Sequence, residues 1–553
     1  MEKRILKQSF NNYPAVCLLR PPTFTTVSNV GQDATPPLGL AYLAGSLMAA
    51  GIPTSGVDAV GEAIHQYTIL PGQDGKSMLH GLSNEEIVER IPKDTEIVGM
   101  ACMFSVEWPF LEPLIELIRG RFPHALIVVG GEHVTACPEF ILKASKAVDV
   151  CVLGEGEETF VEIVKAYAAG RPLNELEGLC IRSNGEFLKT GRRKRIQNID
   201  DIPDPVWDIF PIEKYIDNGV THGANLGRCM PIMASRGCPY ECTFCSSPFM
   251  WTRKWSVRDA YKVLEEMKRY IKKYNVTNFD FYDLTAIIKK EWIIEFCQLL
   301  IKEDLNITWQ LPSGTRSEAI DDEVCRLLYA SGCRHMSYAP ESGSPDELKR
   351  IKKRVLLDRM LESMKAANRA KIKIKCNFIF ALPGQTWRDV FKTYGFIAKL
   401  AKVGVEDISA FPYSPYPGTE IFANLVKAGK LALNDAYFKS LSGFTDFSKG
   451  TSFNETFHPK LVGIMTTFTM MYFYTLACVL HPERIVAMVR AVFTKDTSTR
   501  LLISYSHVLR KAQAHKKSRQ LGQQTVIIEP TIRPKAREAV LHSLINATDT
   551  LSP

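Results

Sequence analysis

Short apolar runs without polar alternation, separated by amphipathic stretches, set the tightest limit on what this chain can fold into. The first series is PAVCLLR from Pro14, TSGVD from Thr54, EIVGMACM from Glu96, ALIVVGG from Ala125 and DVCVL from Asp149. LGLAYLAGSLMAA, PFLEPLIELIRGRF and EETFVEIVKAYAA lie between or after them. Strands that are apolar on both faces, with helices between, imply a parallel sheet covered on both sides. Five such strands predict a doubly wound, flavodoxin-like α/β domain over residues 1–197, with its ligand beyond the carboxyl ends of the strands. A connector rich in proline and aspartate, NIDDIPDPVWDIFPIEKY, opens a linker over 198–226. A second series follows: PIMAS from Pro231, NFDFYD, ITWQL, RHMSYA, IKIKCNFIF and EDISAF from Glu406. Six βα units in succession predict a partial (β/α)6 barrel over 227–425, with chemistry at the carboxyl ends of its strands. Beyond it the strand signal fades, and a mostly helical part is expected over 426–553, with a loosely ordered tail.

Composition adds exclusions. A formal charge of +8 over 553 residues is too dilute to indicate nucleic acid. The basic group Arg510, Lys511, Lys516, Lys517 and Arg519 reads as a solvated helix face, with contact at a membrane surface as the alternative. The 14 cysteines have no regular framework, and MEKRILKQSFNNYP lacks the apolar core of a signal peptide. Both indicate a reducing, cytoplasmic setting. The uncharged run Val462–Leu480 is nearly long enough to span a bilayer, but its four threonines and its stop at His481-Pro482 favour a core helix. With IVAMVRAVF from Ile485, it is expected to cover the barrel mouth and to admit an apolar substrate such as a terpenoid, lipid or pigment precursor.

RGCPYECTFCSSP places Cys238, Cys242 and Cys245 directly after the first strand of the second series. A structural zinc would need a fourth ligand, for which Cys229 or His222 is available. A four-iron cluster held by three thiolates instead keeps one iron open, and a ligand carrying an amine and a carboxylate could close it. The C-x3-C-x2-C spacing, with Phe244 before the last cysteine, resembles that of the radical S-adenosylmethionine (SAM) enzymes. That resemblance implies a [4Fe-4S] cluster on the three cysteines and SAM on the open iron. It places SAM beside Phe244, Arg316 of TRSEAI, Glu341 and Ser342 of APESGS, and Pro383 and Gly384 of FALPGQT, where Ala381 replaces a common glycine. SPYPGTE, from Ser414, matches the turn after the sixth strand.

Turns in the first domain extend the resemblance. PPLGL (Pro37, Leu38, Gly39), VVGGEH (Gly130, Gly131, Glu132, His133) and LGEGE (Gly154, Glu155, Gly156) bring bare backbone to strand ends and helix starts. Together with Ser105 and Val106 after the third strand, they resemble the cobalamin-binding domain of the cobalamin-dependent radical SAM enzymes. No D-x-H-x-x-G string is present, so cobalamin is expected without a protein histidine below the cobalt. Glu107 and Trp108 are further candidates to face the corrin. The methylthiotransferases share the barrel motif, but Cys17, Cys102, Cys137 and Cys151 lack the spacing for their second cluster.

The resemblance implies methylation of an unactivated carbon of a small molecule. One SAM methylates the cobalt. A second, cleaved at the cluster, yields a 5′-deoxyadenosyl radical, and the resulting substrate radical takes the methyl group. An external flavodoxin- or ferredoxin-like electron donor is implied. The alternatives are oxidative cyclisation or rearrangement without methyl transfer and, from another class, a corrinoid- and cluster-binding module without catalysis.

Overall fold

The computed structural model describes residues 13–29, 34–70, 76–444, 451–486 and 500–528. All five runs of the first series become strands: β1 (Val16–Arg20), β2 (Thr54–Asp58), β3 (Ile97–Ala101), β4 (Leu126–Gly130) and β5 (Val150–Val152). They pair in parallel in the order β5-β4-β3-β1-β2. This is the flavodoxin-like order, and it opens a crevice where the connections diverge, at the carboxyl ends of β1 and β3. A hairpin absent from the sequence reading, β6 (Leu179–Ser183) and β7 (Glu186–Lys189), extends the sheet antiparallel to β5. Its turn is Asn184-Gly185, with φ of +51° and +83°. Asn-Gly is the dipeptide that a mirror-image hairpin turn requires, so the signal was present in the sequence.

The second series also forms completely. Strands β8 (Cys229–Ile232), β9 (Asn278–Phe281), β10 (Thr308–Thr315), β11 (Cys333–Glu341), β12 (Lys373–Phe380) and β13 (Asp407–Pro412) pair in parallel and in chain order. The first and last do not pair with each other, so the barrel is open. Alternate residues such as Phe279, Trp309, Met336, Cys376 and Ile408 face the helical shell. The opposite positions point inward, and several are polar. The linker occupies this interior. The backbone N–H groups of His222 and Gly223 donate to Asp280 Oδ2 at 2.8 and 3.0 Å. Gln310 brackets Ala224, accepting from its N–H at 2.9 Å and donating to its carbonyl at 2.7 Å. The lumen is therefore filled by backbone, leaving the mouth at the carboxyl ends of the strands as the free end.

The C-terminal part departs from expectation in two respects. The helix Pro459–Leu480 does not cover the mouth. It lies outside the barrel against β13 and the helix Trp387–Val403, in the place of a sixth shell helix. Val462, Met465, Thr466, Thr469, Phe473 and Ala477 form its packed face. Its threonines tolerate burial because their hydroxyls donate back into the helix, as Thr469 does to the carbonyl of Met465 at 2.6 Å. The basic helix Arg500–Leu521 is not wholly solvated either. Lys511 is buried and donates to the carbonyl of Asn29 at 2.8 Å, while Lys516, Lys517 and Arg519 are exposed. This helix packs beside a small antiparallel sheet in which Thr525–Ile527 pairs with Gln66–Ile69, next to Ser77–His80 and Thr23–Thr26. Tyr437 and Phe438, on the helix Asp435–Ser440, join the core of the first sheet. Most of the run that begins at Ile485, and the expected loose tail from 529, lie outside the described residues.

Two glycines test the placement of the linker. A Cβ on Gly223 would lie 2.4 Å from the clamped Gln310 side chain, whereas a Cβ on Gly39 would meet nothing within 4 Å. Gly223→Ala is expected to destabilise by about 1–3 kcal/mol through overpacking. Gly39→Ala, inside a helix, should stabilise by about 0.5–1 kcal/mol. Unfolding midpoints of the two cofactor-free variants would check this, and equal midpoints would contradict the threading of the linker.

Candidate active site at the junction of the two sheets

The carboxyl ends of the two parallel sheets meet around the loop that carries Cys238, Cys242 and Cys245. This loop leaves β8 through Arg236 and Gly237. Gly237 has φ +82°, and any side chain there would strike the Lys254 carbonyl at 2.2 Å. The loop is pinned from two sides: Thr243 N–H donates to the Ile351 carbonyl at 3.0 Å, and its own carbonyl accepts from Ile421 N–H at 3.1 Å. Burial pushes the Cys245 thiol up to about 12. Burial also raises the Cys242 thiol, against a downward pull from the Lys353 ammonium. Such thiols become thiolates by binding metal.

Among the described residues, no three Cys, His, Asp or Glu side chains converge on a single ion. Cys229, the candidate fourth zinc ligand, lies at the opposite end of β8, where its sulfur accepts from Asn278 Nδ2. The ring of His222 packs edge-on against Tyr282. Three thiols with no fourth partner suit three corners of a cluster better than one tetrahedral ion.

The residues expected around SAM separate into two groups. Phe244 packs with Leu348, Ile351, Leu382 and Tyr413 under the loop. The Arg316 guanidinium lies 3.6 Å from the centroid of the Tyr240 ring and donates to Glu318 Oε1 at 2.8 Å. Glu341 ends β11 with φ +64°, a left-handed conformation that costs a non-glycine residue energy, and its carboxylate pairs with Lys353 Nζ at 2.9 Å. Lys353 escapes the sequence reading because IKKRV looks like an exposed helix end, yet its ammonium is buried among Glu341, Cys242 and the Phe244 ring. Ser342, in contrast, turns away from the mouth. Its hydroxyl donates to Glu347 at 2.6 Å inside a buried network. Pro383 and Gly384 form the turn after β12, with φ of +76° at Gly384. Ala381 adopts φ +63°, the conformation of the glycine that it replaces.

On the other side, Pro37, Leu38 and Gly39 start the helix Leu38–Ala49, and Gly39 faces open space. Gly131 has φ +123°, and a Cβ there would clash with the Cys102 carbonyl. Gly154, at φ +80°, is also open. Gly156 caps the helix Glu157–Ala168. Met103 and Phe104, which sequence reasoning missed, are 45% and 59% exposed after β3. Gly39 and Gly154 face open space and Gly131 lies against the exposed Met103 side chain; bare backbone and apolar surface of this kind suit a flat ligand with polar edges.

Several other expected residues are engaged within the protein. His133 Nδ1 is 2.9 Å from Ser105 Oγ, and its ring lies against Trp108 and Phe438. Burial drives this imidazole down to about 3. Trp108 is a core residue, and Val106, beside Ser105, is partly buried. Glu132 accepts a hydrogen bond from Ser246, the neighbour of Cys245, and so joins the two halves. Glu155 accepts from Arg195 and, at 3.3 Å, from Arg236, while Glu157 pairs with Arg236 at 2.5 Å. Burial alone would raise the Glu157 carboxyl, but Arg236 holds it below its ordinary range. The Arg236 guanidinium also rests against the Tyr42 and Trp251 rings. A cleft of about 200 Å³, lined by Thr135, Gly154, Glu155, Arg192 and Phe249 among others, opens at this junction.

Residues 232–397 match the radical SAM superfamily, and residues 25–164 match the B12 binding domain. Uncharacterized methyltransferase PH0819 of Pyrococcus horikoshii is 30% identical over 74% of this chain and 82% of its own length. The anaerobic magnesium-protoporphyrin IX monomethyl ester cyclase of Rubrivivax gelatinosus is 28% identical over 70% of this chain and 66% of its own. In fold, the chain resembles the cobalamin-dependent S-adenosylmethionine radical enzyme OxsB, solved with aqua-cobalamin and S-adenosylmethionine bound. The TM-score is 0.62, at 14% identity over 92% of this chain and 81% of that one.

Glu107 offers a pH test of the crevice. Burial raises its carboxyl from 4.5 to about 8, opposed by Arg20 and by the N–H of Phe24. The folded state therefore holds this proton more tightly than the unfolded chain. The stability that results is complete below pH 4.5 and is lost as pH rises through 8. Glu107→Gln should flatten the fall in stability across that window, as read by thermal melts at several pH values. An unchanged slope would show that Glu107 does not titrate there.

Proposed function

We propose that this chain, which belongs to the cobalamin-dependent radical SAM enzymes, methylates an unactivated carbon of a small-molecule substrate. Its cofactors are a [4Fe-4S] cluster, SAM and cobalamin. Together they supply an electron, a hydrogen-abstracting radical and a transferable methyl group. The chain's own contribution is placement. Cys238, Cys242 and Cys245 would hold the cluster. Arg316, Glu341 and Lys353 set fixed charges along the side of the mouth where the amino acid part of SAM would lie. The turns at Gly39, Gly131 and Gly154, with Met103 and Phe104, would seat the corrinoid. The lumen below is closed by the linker, so the substrate would enter between the two sheets.

The observation that carries this reading is the direct bond between the two halves at Glu132 and Ser246. It sets the turn expected at the corrinoid against the residue after the last cysteine. A site between two cofactor faces suits a substrate that must meet both. The packing of His133 between Trp108 and Phe438, with Ser105 on Nδ1, supports a cobalt without protein imidazole below it. Lys353 adds a buried positive charge beside Cys242, where reduction adds negative charge. An external flavodoxin- or ferredoxin-like protein would deliver that electron. We place the reaction in the cytoplasm, where its 14 cysteines, all free, would stay reduced.

Anaerobic reconstitution with iron, sulfide and cobalamin, followed by SAM and a reductant, tests the proposal. The expected products are 5′-deoxyadenosine and a substrate heavier by one methyl group, both lost when the three cysteines become alanine. Cyclised or desaturated product with no added methyl would instead favour the cyclase reading. Absence of 5′-deoxyadenosine from cluster-loaded protein would leave only a binding module.

A further inference from the structure

The helix Pro459–Leu480 has 22 residues, long enough to cross a bilayer, yet one face is already packed on the barrel. Tyr474 fixes it there by donating to Asp407 Oδ1 at 2.5 Å. The other face is open and largely apolar, with Thr467 and Thr475 also exposed on it. Ile464, Phe468, Met471 and Val479 are 65%, 50%, 64% and 72% exposed. Trp387 and Phe391, on the neighbouring helix Trp387–Val403, enlarge the patch at 42% and 66%. The two helices start together at the mouth end, where Trp387 packs on Phe457 and Asn454 holds the Leu382 and Gln385 carbonyls. They end together where the His481 ring meets the Ala401 carbonyl. Scattered exposed apolar side chains are ordinary, but a continuous strip along two helices marks a contact surface.

The charges around the strip indicate what covers it. Pro459–Leu480 contains no Asp or Glu. Arg388 and Lys460 are exposed at the mouth end and Lys399 and Lys402 near the other, and none forms an ion pair among the described residues. Glu483, 74% exposed beside His481, and Glu406, 39% exposed and 3.8 Å from Arg484, are acidic groups at the far end. A helix with an apolar face and cations at its ends is suited to lie in the interface of an anionic membrane, with lysine and arginine reaching the headgroups. A helix bonded along one side to a barrel cannot cross that membrane.

We propose that this strip docks the enzyme, as a peripheral protein, on an anionic phospholipid bilayer through Trp387, Phe391, Ile464, Phe468 and Met471. The docking goes beyond the proposed reaction and does not depend on which product forms. It is tested by sedimenting the full-length, cofactor-loaded protein with vesicles of equimolar phosphatidylcholine and phosphatidylglycerol. The wild type should sediment with these vesicles and less with phosphatidylcholine alone. Phe391→Ser/Phe468→Ser/Met471→Ser should lose binding at least about tenfold, since each apolar side chain withdrawn from lipid weakens partitioning strongly. Retained cluster and cobalamin absorbance would show that the variant is folded. A dye attached at Ile464→Cys, within the strip and with its other apolar side chains kept, should blue-shift on adding the same vesicles, and an unchanged emission would overturn the proposal. The proposal is overturned if the wild type stays in the supernatant or the triple variant binds equally. It is also overturned if light scattering finds a dimer that the triple variant splits while vesicle binding is absent, which would assign the strip to a second copy of the chain.

Discussion

The structure depends on how the Arg236 charge is compensated at the junction of the two sheets. A guanidinium buried between two domains is costly unless its charge is matched. Here Arg236 and Arg195 face Glu155 and Glu157, giving two positive and two negative groups in one buried cluster. The Tyr42 and Trp251 rings flank Arg236, and Trp251 also lies under Arg195. Removing one partner would leave an opposite charge stranded away from water. The two domains therefore share an electrostatic reason to keep one relative position. Arg236 is two residues before Cys238, so this position is transmitted directly to the cysteine loop.

Much of the remaining architecture places reactive groups relative to that reference. The linker threads the lumen and blocks the barrel from below, while Glu132 and Ser246 close the gap above. A Cβ on Gly418, in the turn after β13, would lie 3.3 Å from both Ala136 and Phe249, so the sixth strand's turn reaches the same junction. Glu341 and Ala381 hold left-handed backbone at the ends of adjacent strands. Strain of this kind persists where surrounding structure imposes it, and here it turns the chain at the rim of the mouth.

Periodicity made the two strand series legible, because a strand buried on both faces has few other sequence solutions. It did not reveal which polar residues face a ligand and which face each other. Glu155 lies in a glycine-rich turn that suggested cofactor contact, yet its carboxylate meets two arginines, one of them 81 residues away in sequence. Ser342 follows Glu341 and shares its motif, but successive residues point in opposite directions, and only the glutamate turns toward Lys353. His133 is likewise drawn into the aromatic core by Trp108 and Phe438. The apolar run Val462–Leu480 was recognisable as a helix, but its location was not: it was expected over the mouth, and a shell helix and a mouth cover need the same composition. The hairpin was missed although Asn184-Gly185 announced it.

The most direct test of this account is the magnetic coupling between cob(II)alamin and the reduced cluster, measured by pulsed electron paramagnetic resonance in wild type and Arg236→Met. One narrow distance distribution is expected in the wild type. In the variant, with both cofactors still bound, a broad or displaced one is expected. Identical narrow distributions in the two proteins would contradict the claim that the buried arginine cluster sets the two cofactor faces against each other.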